Sequence, residues 1–533
     1  MSTVSYRNLD SLKSFADLQR APRVDLRSAL STGASRRAER FSAPIIGGTS
    51  FNYAAKQVDD TILELLLRLA EEAQLLEKYR AVLSGEVMNT AEQRMVLHHL
   101  TRGRLGPGVN INGRRFETFY REEHERVFAF ADQVHTGEIT GSTDKQFDTV
   151  VQIGIGGSDL GPRAMYHALQ NLVIHEEGEQ PLQAHFISNV DPDDAAAVLS
   201  KIDPETTLFV LVSKSGTTQE TLTNEAFVLD ALAQSRIPEL IPRKHVVAVT
   251  SETSPLAKNS EYLDAFFIDD FIGGRYSSTS PVGSVVLSLA FGHSFVSRFL
   301  EGAHAADRAA LETPPDRNAA LLDALIGVYE RNVLGYSATA VLPYSQALSR
   351  FPAHLQQLDM ESNGKRVNRF GEPVAYHTGP LVFGEPGTNG QHSFYQLLHQ
   401  GTDIIPMQFV GLRRSQLQQD LEFDGSSSQR KLNANLIAQI VAFAVGRDHE
   451  NANKAFPGGR PSSLIHGERL TPETLGALLS HFENKVMFQG FAWNINSFDQ
   501  EGVQLGKTLT NQILSQETSG DPAVDAMRTL LRV

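Results

Sequence analysis

Glu361 is the residue whose type and surroundings best suit proton transfer. It stands near the end of a helical pattern, His354–Asp359, which Asn363 and Gly364 should end with a left-handed turn. The negative end of a helix dipole favours protonation of a nearby carboxylate, which suits a general base. Gln357 lies four residues earlier, on the same helical face. Most surface glutamates have no chemical role, so the interpretation depends on the neighbouring candidates.

His392 is the second candidate for moving protons. It follows the glycine-rich turn Gly384–Gly390 and should lie in the first turn of a helix over Gln391–His399. The positive end of the helix dipole favours a neutral imidazole, which can exchange protons near neutral pH. A histidine that only caps the helix or packs in a core explains the pattern equally well.

A phosphate site is predicted at Ser213–Thr218, directly after the apolar run Leu208–Val212. The segment holds four hydroxyl side chains and Lys214, and it leads into a helix over Gln219–Ala233. Hydroxyls, backbone N–H groups and the helix dipole would converge there on a phosphate dianion. The residue order is not that of a P-loop. A Ser/Thr-rich turn that only caps the helix is the alternative.

A glycine-rich turn, Gly154–Gly161, passes from a strand into a helix and contains Gly157 and Ser158. Glycines at such a place let backbone amides approach an anion at the helix N-terminus. A dinucleotide-binding fingerprint would require glycine at Asp159, so that reading fails on spacing. An ordinary tight turn also explains the glycines.

Two further segments add polar groups. Gly274 and Arg275 follow the fifth predicted strand of the first region, and open α/β sheets bind ligands at the carboxyl ends of their strands. Gln500, Gln504 and Lys507 have the spacing of one helical face near the C-terminus. Surface ion pairing of the arginine and an ordinary amphipathic face are the alternatives.

Hydrophobic periodicity predicts that α/β architecture positions these groups. Apolar runs alternate with helical patterns in two regions, which favours parallel sheets flanked by helices. Predicted strands are Thr149–Ile155, Ala184–Ser188, Leu208–Val212, Val246–Thr250 and Phe266–Asp269 in the first region, and Thr339–Leu342, Pro380–Phe383 and Ile404–Val410 in the second. Predicted helices are Asp59–Leu83, Ala91–Leu100, Pro162–Leu172, Gln219–Ala233, His354–Asp359, Gln391–His399, Leu432–Ala444, Pro472–Phe488 and Glu501–Ser515.

Composition excludes several classes of site. The 533 residues include no cysteine, so disulfides, thiolate nucleophiles and cysteine-based metal sites are ruled out. Histidines do not cluster at metal-ligand spacing apart from His98 and His99, so neither a metal nor another cofactor is predicted. A net charge of −14 without a long basic run argues against nucleic acid. No apolar stretch is long enough to span a membrane, and no signal pattern is found, so a cytoplasmic protein is expected.

Taken together and in order, these segments resemble the phosphoglucose isomerase family. The resemblance runs from about Phe147 to Lys507 and is dense in Gly154–Pro162, Ser213–Thr221, Asp270–Gly283, Gln357–Lys365, Gly384–Gln400 and Phe498–Lys507. It implies two sugar-isomerase (SIS) domains, each a parallel sheet flanked by helices. The expected units are a helical N-terminal part at 1–120, SIS domains at 121–290 and 291–490, and a C-terminal helical arm at 491–533 that carries Lys507.

The resemblance also implies a function and a site. The function is isomerisation between glucose 6-phosphate and fructose 6-phosphate through ring opening and a cis-enediol, without a metal or cofactor. The implied catalytic residues are Glu361 for proton transfer, His392 for ring opening, Lys507, and Arg275 near the enediolate. The implied substrate-binding residues are Gly157, Ser158, Ser213, Lys214 (through its backbone), Ser215, Thr218, Gly274, Gln357 and Gln500.

The only ligand implied is a small sugar phosphate, and the implied assembly is a homodimer in which His392 reaches the neighbouring subunit's site. Gln504 stands where many family members have glutamate, and Gly216 where many have an aromatic residue. Two alternatives stay open: an isomerase of another sugar phosphate, such as a mannose or amino-sugar phosphate, and a non-catalytic sugar-phosphate sensor. A sensor should lack the proton-transfer groups, whereas Glu361, His392 and Lys507 are all present.

Overall fold

Two mainly parallel β-sheets and the helices that cover them make up the structure, a computed structural model that describes residues 4–515 and 521–533. The strands are β1 Ser42–Ile46, β2 Thr49–Asn52, β3 Asn110–Ile111, β4 Arg114–Arg115, β5 Thr149–Ile153, β6 Gln183–Ile187, β7 Thr207–Val212, β8 Val246–Thr250, β9 Asp264–Phe267, β10 Ala338–Pro343, β11 Leu381–Phe383, β12 Met407–Leu412, β13 Glu422–Phe423, β14 Ser426–Ser427 and β15 Ser462–Gly467. The predicted α/β fold class is confirmed.

The helices surround these sheets. They are α1 Lys13–Arg20, α2 Leu26–Arg40, α3 Asp60–Glu72, α4 Leu75–Leu83, α5 Phe116–Thr136, α6 Leu160–Glu177, α7 Pro192–Leu199, α8 Gln219–Gln234, α9 Pro281–Phe291, α10 His293–Ala309, α11 Ala319–Asn332, α12 Phe351–Gln356, α13 Tyr395–Gln400, α14 Ser428–Val445, α15 Pro472–Ala492, α16 Gln504–Ser515 and α17 Pro522–Leu531. Within the described residues, none of them is both long and apolar enough to cross a bilayer.

The first sheet has the order β6-β5-β7-β8-β9 and is parallel throughout. Its central strands are buried on both faces, because Val150 and Leu208 pack in one hydrophobic cluster while their neighbours Val151 and Phe209 pack in another. Such strands read as continuous apolar runs, which explains why all five were predicted. The sheet is thus covered by helices on both sides.

The second sheet has the order β11-β10-β12-β15, parallel, and is extended by an antiparallel hairpin of β2 and β1. The hairpin comes from the N-terminal 120 residues, which the sequence predicted to be helical. It turns at Gly47 and Gly48, both with positive φ. The N-terminal part therefore contributes two strands to this sheet as well as helices.

Both sheets share one strand order. In each, the first strand along the chain (β5 or β10) has the second strand (β6 or β11) on one side and the third (β7 or β12) on the other. In each sheet the chain therefore crosses from one side of its first strand to the other. The order of the strands reverses between β5 and β7 in the first sheet and between β10 and β12 in the second. Ligands of open α/β sheets bind at the carboxyl ends of strands at such points.

Four helical predictions differ from the structure. The segment Asp59–Leu83 is two helices, because Gln74 between them is left-handed, with φ of 53°. The prediction of a helix at Ala91–Leu100 is wrong: the segment pairs with the chain around Asn89 and ends in a 3₁₀ turn. Gln391–His399 and Glu501–Ser515 each begin with a 3₁₀ turn before the α-helix starts.

Candidate active site

The glycine-rich turn after β5 holds Gly157 and Ser158 at the edge of the first sheet. Gly156 has a φ of +60°, which favours glycine. A Cβ on Gly157 would lie 2.2 Å from the carbonyl carbon of Gly274, so only glycine allows the two loops to touch through their backbones. This contact places Ser158 beside the loop that carries Arg275.

The predicted phosphate loop follows β7, the neighbour of β5. The Ser213 hydroxyl lies 3.0 Å from the hydroxyl of Thr218 and accepts a hydrogen bond from the N–H of Gly216 at 3.1 Å. Gly216 has a φ of +66°, and a Cβ there would lie 2.1 Å from the Ser254 hydroxyl. The absence of an aromatic residue at Gly216 is therefore a steric requirement of this loop. Ser215 is exposed and accepts a hydrogen bond from the backbone N–H of Thr217.

The helices that follow these two loops, α6 and α8, have no side-chain cap at their N-termini. Neither Asp159 before α6 nor Thr218 before α8 accepts a hydrogen bond from its helix, although many other helices of the chain are capped. The first N–H groups of a helix need partners and carry partial positive charge. The two helix starts, which follow neighbouring strands, therefore have N–H donors that suit an anion at this edge of the sheet.

Lys214, Gly274 and Gln500 line a common small cavity beside the phosphate loop. The Lys214 ammonium donates to the backbone oxygen of Ile272 at 3.1 Å, so its side chain is already engaged. Burial lowers the pKa of this ammonium. The backbone of Lys214 is thus the part left for a ligand, as the family resemblance implies.

Arg275 is a buried guanidinium that ties three segments together. Its Nε donates to the hydroxyl of Ser362 at 2.6 Å, and its Nη2 donates to the backbone oxygens of Ser497 and Asp499 at 2.7 and 2.9 Å. Its Nη1 lies 3.3 Å from Oε2 of Glu361. These partners fix the positive charge beside the candidate base.

Glu361 lies in a single π-helical turn, Gln357–Glu361, that follows α12. Turns of this kind occur frequently at functional sites. Gln357 Nε2 donates to Oε2 of Glu361 at 3.0 Å, so this oxygen is held by both Gln357 and Arg275. The other oxygen, Oε1, has no hydrogen-bond partner among the described residues. The carboxylate therefore has one oriented oxygen and one free oxygen that can accept a proton.

His392 lies outside this cluster in the single chain. It is exposed at the end of a 3₁₀ turn, Asn389–His392, and forms no hydrogen bond with the described part of the chain. The adjacent residue, Gln391, anchors the turn, because its side-chain amide donates to Oδ1 of Asn435 at 2.5 Å. The predicted place in the first turn of an α-helix is wrong, since α13 begins only at Tyr395.

Lys507 is exposed on α16, and no residue of that helix is buried in the single chain. Gln500 does not share its face as predicted, because Gln500 has non-helical backbone and the helix starts at Gln504. No described hydrogen bond joins Lys507 to Glu361 or Arg275. Gln504, at the start of the same helix, is also exposed.

Sequence reasoning missed two buried residues of the site. Ser362 accepts from Arg275, and the Tyr276 hydroxyl lies 2.9 Å from the Ser362 hydroxyl. Each directly follows a candidate catalytic residue, and that adjacency was the available signal. Across residues 4–515 and 521–533, no group of three or more histidine, aspartate and glutamate side chains is arranged to share a metal ion.

Comparison with known proteins identifies the family. The family model described as phosphoglucose isomerase matches residues 52–526. Glucose-6-phosphate isomerase of Treponema denticola is 58% identical over 534 residues, covering 99% of this chain and 100% of that protein. The crystal structure of a glucose-6-phosphate isomerase from Chlamydia trachomatis has a TM-score of 0.91 at 42% identity and covers 99% of both chains. Because the family model spans most of the sequence and these proteins match it over nearly their full lengths, the chain belongs to the phosphoglucose isomerase family.

Proposed function

We propose that this chain interconverts glucose 6-phosphate and fructose 6-phosphate through an open-chain cis-enediol, a step of glycolysis and gluconeogenesis, in the cytoplasm. Full-length relatives that carry the name glucose-6-phosphate isomerase support the reaction. The observation that carries the proposal is Glu361, with one oxygen held by Arg275 and Gln357 and the other free. The absence of cysteine fits a reducing compartment.

In this proposal the phosphate anchors the sugar at the edge of the first sheet. Ser158, Ser213, Ser215 and Thr218 supply hydroxyls, and the backbone of Lys214 and the uncapped helix starts supply N–H donors. These groups bind the phosphate in the ground state and the transition state alike, since it lies far from the reacting carbons. Their contribution should therefore appear mainly in substrate binding.

Proton transfer then takes place at the other end of the sugar. Oε1 of Glu361 removes the proton from C2 of the open aldose and returns it to C1, which yields the ketose. Arg275 places a buried positive charge where negative charge develops on the enediolate. The buried Oε1 of Gln357 has no partner among the described residues and is available to a substrate hydroxyl.

Ring opening is assigned to His392 and Lys507, and His392 is proposed to act on the partner subunit of a homodimer. Exposed apolar residues near His392 support such an interface. Leu397 on α13 is 48% exposed, and Ile437 and Val441 on α14 are 61% and 51% exposed. Exposed apolar residues that cluster on one face are typical of a surface that is covered in the assembled protein.

An assay of the purified protein tests the reaction. Fructose 6-phosphate should be converted into glucose 6-phosphate, detected by a coupled dehydrogenase. Mannose 6-phosphate and glucosamine 6-phosphate serve as competing substrates in parallel. Preference for either would favour the isomerase of another sugar phosphate, and binding without turnover would favour the sensor.

A further inference from the structure

The second sheet has the same ligand-binding topology as the first, but the loops directly after β10 and β12, residues 344–350 and 413–421, hold none of the candidate substrate-binding residues. In the first sheet the candidate phosphate groups follow β5 and β7, which flank the point where the chain reverses direction. The equivalent strands of the second sheet are β10 and β12, which pair in parallel with Pro343 opposite Val410. The crevice at their carboxyl ends is thus a place where α/β sheets bind ligands.

A cavity of about 400 Å³ lies at that crevice and is open to solvent. Its walls are the loop after β10, the loop after β12, the start of α14 and one face of α6, which includes Gln170. The volume is in the range of small-molecule sites. The cavity is distinct from the one lined by Lys214, Gly274 and Gln500.

The polar groups of the wall suit a ligand rich in hydroxyls. The side-chain amides of Gln416 and Gln429 donate to backbone oxygens of α6 and β12, at 2.7 and 2.9 Å. Their Oε1 atoms have no partner in the described structure and are left as acceptors. The hydroxyls of Ser345 and Ser349 also form no hydrogen bond with any described residue. Amide acceptors beside free hydroxyls are complementary to a polyol.

The charge of the wall suits an anion. No aspartate or glutamate lines the cavity, although the chain has a net charge of −14, whereas Arg414 does. Arg414 Nε bonds to Glu468 at 2.7 Å, but both side chains are largely exposed, so this pair is weak and its other donors stay available.

We propose that this crevice is a second ligand site, which binds a sugar phosphate or a similar polyol with one anionic group. The site does not depend on the isomerase function. Tyr344 belongs both to the cavity wall and to the support of the His392 turn, because a Cβ on Gly387 would lie 2.2 Å from its ring. Variants that test the site are therefore made away from Tyr344.

Equilibrium dialysis with glucitol 6-phosphate tests the proposal. This polyol phosphate has no carbonyl group, so the protein cannot isomerise it. Two molecules should bind each wild-type chain at millimolar concentration. Gln170→Trp should fill the cavity and reduce the count to one, while turnover of fructose 6-phosphate stays unchanged. Ile174→Trp, on the same helix but outside the cavity wall and 45% exposed, is the matched control and should keep two.

A second variant covers the case in which Gln170→Trp does not fold. Arg414→Gln removes only a surface ion pair and should weaken the second binding event about tenfold, the scale of one charge-assisted hydrogen bond. Binding of uncharged glucitol should not change. One molecule per wild-type chain, or two per chain in Gln170→Trp, would overturn the proposal. Neither result bears on the isomerase reaction, which the activity assay measures separately.

Discussion

At the scale of single residues, the two carboxylate oxygens of Glu361 differ in their contacts, and the proposed chemistry depends on that difference. Oε2 accepts from Gln357 and lies beside Arg275, whereas Oε1 is left free. An oriented carboxylate needs no reorganisation when the proton moves, because its position is fixed before the reaction. The buried guanidinium is fixed in turn by Ser362 and two backbone oxygens.

Glu361→Gln should remove the base and keep the shape of the side chain. We expect kcat to fall by roughly 10²–10⁴-fold, the usual contribution of a general base, with substrate binding largely kept. Exchange of the C2 hydrogen with solvent, followed by NMR in D₂O, should be lost in parallel. Glu312→Gln, at an exposed glutamate, is the control. If Glu361→Gln exchanged that hydrogen at the wild-type rate, Glu361 would not be the base.

Asp359, two residues before the base, should make stability depend on pH. Burial raises the pKa of this carboxyl to about 6 from an ordinary value of 3.8, and its Oδ1 has no described partner. Because the pKa is raised in the folded state, the contribution of this carboxyl to the stability of the protein is fully present below pH 3.8. It is lost as the pH rises through about 6.

Asp359→Asn removes that titration. The free energy of unfolding of the variant minus that of wild type should increase by up to about 3 kcal/mol when the pH is raised from about 4 to about 7. Urea unfolding at the two pH values measures the difference. A constant difference between the two proteins would show that folding does not raise the pKa of Asp359.

At the scale of elements, the starts of α6 and α8 matter because they are uncapped and follow neighbouring strands. Sequence reasoning placed both loops between a buried strand and a helix, as the structure has them, and their binding of a phosphate stays a prediction. The buried strands were also predictable, and Val246–Thr250 has the predicted bounds. The division into units at residues 120, 290 and 490 stays a prediction.

Elements fixed by tertiary contacts were not predictable from local pattern. The hairpin of β1 and β2 is short and depends on pairing with β15, more than 400 residues later, which local periodicity cannot show. The segment Ala91–Leu100 has a helical pattern, but its Leu97 N–H is bonded to the backbone oxygen of Phe271. The π-helical turn of Glu361 likewise contacts a distant part of the chain, because Arg275 lies beside Glu361 and donates to the adjacent Ser362.

The phosphate loop should act on binding. Ser213→Ala combined with Thr218→Ala removes two hydroxyls that lie 3.0 Å apart at the start of α8. We expect KM for fructose 6-phosphate to rise roughly tenfold or more, with a smaller effect on kcat, because two hydrogen bonds of uniform binding are lost. Thr223→Ala, at an exposed hydroxyl further along α8, is the control. An unchanged KM would place the phosphate elsewhere.

At the scale of the whole molecule, a single chain does not bring all of the candidate catalytic residues together. Glu361, Arg275 and Gln357 are assembled, whereas His392 and Lys507 are exposed and bonded to none of them in the described residues. The residue types were readable from the sequence, but the subunit that each serves was not, because a projecting turn has no directional signal. A homodimer that exchanges His392 would complete the site.

Complementation between two inactive variants tests that exchange. Glu361→Gln and His392→Ala would be unfolded and refolded together, with different affinity tags so that mixed dimers can be isolated. If each site takes Glu361 from one chain and His392 from the other, a mixed dimer has one site with both defects and one with neither. The isolated mixed dimer should then regain about half of the wild-type activity per dimer, since subunit exchange restores one of two sites.

The opposite arrangement gives a different result. If His392 serves its own chain, each site of the mixed dimer keeps one defect, and the isolated dimer should be no more active than the two variants alone. A mixture of Glu361→Gln with Arg275→Ala is the internal control, because those residues are paired within one chain at 3.3 Å and cannot complement each other. Activity in the first mixture and none in the second would establish that His392 reaches the partner's site, whereas Arg275 serves the same chain as its Glu361. An inactive first mixture would assign His392 to its own subunit and leave the isomerase reaction unaffected.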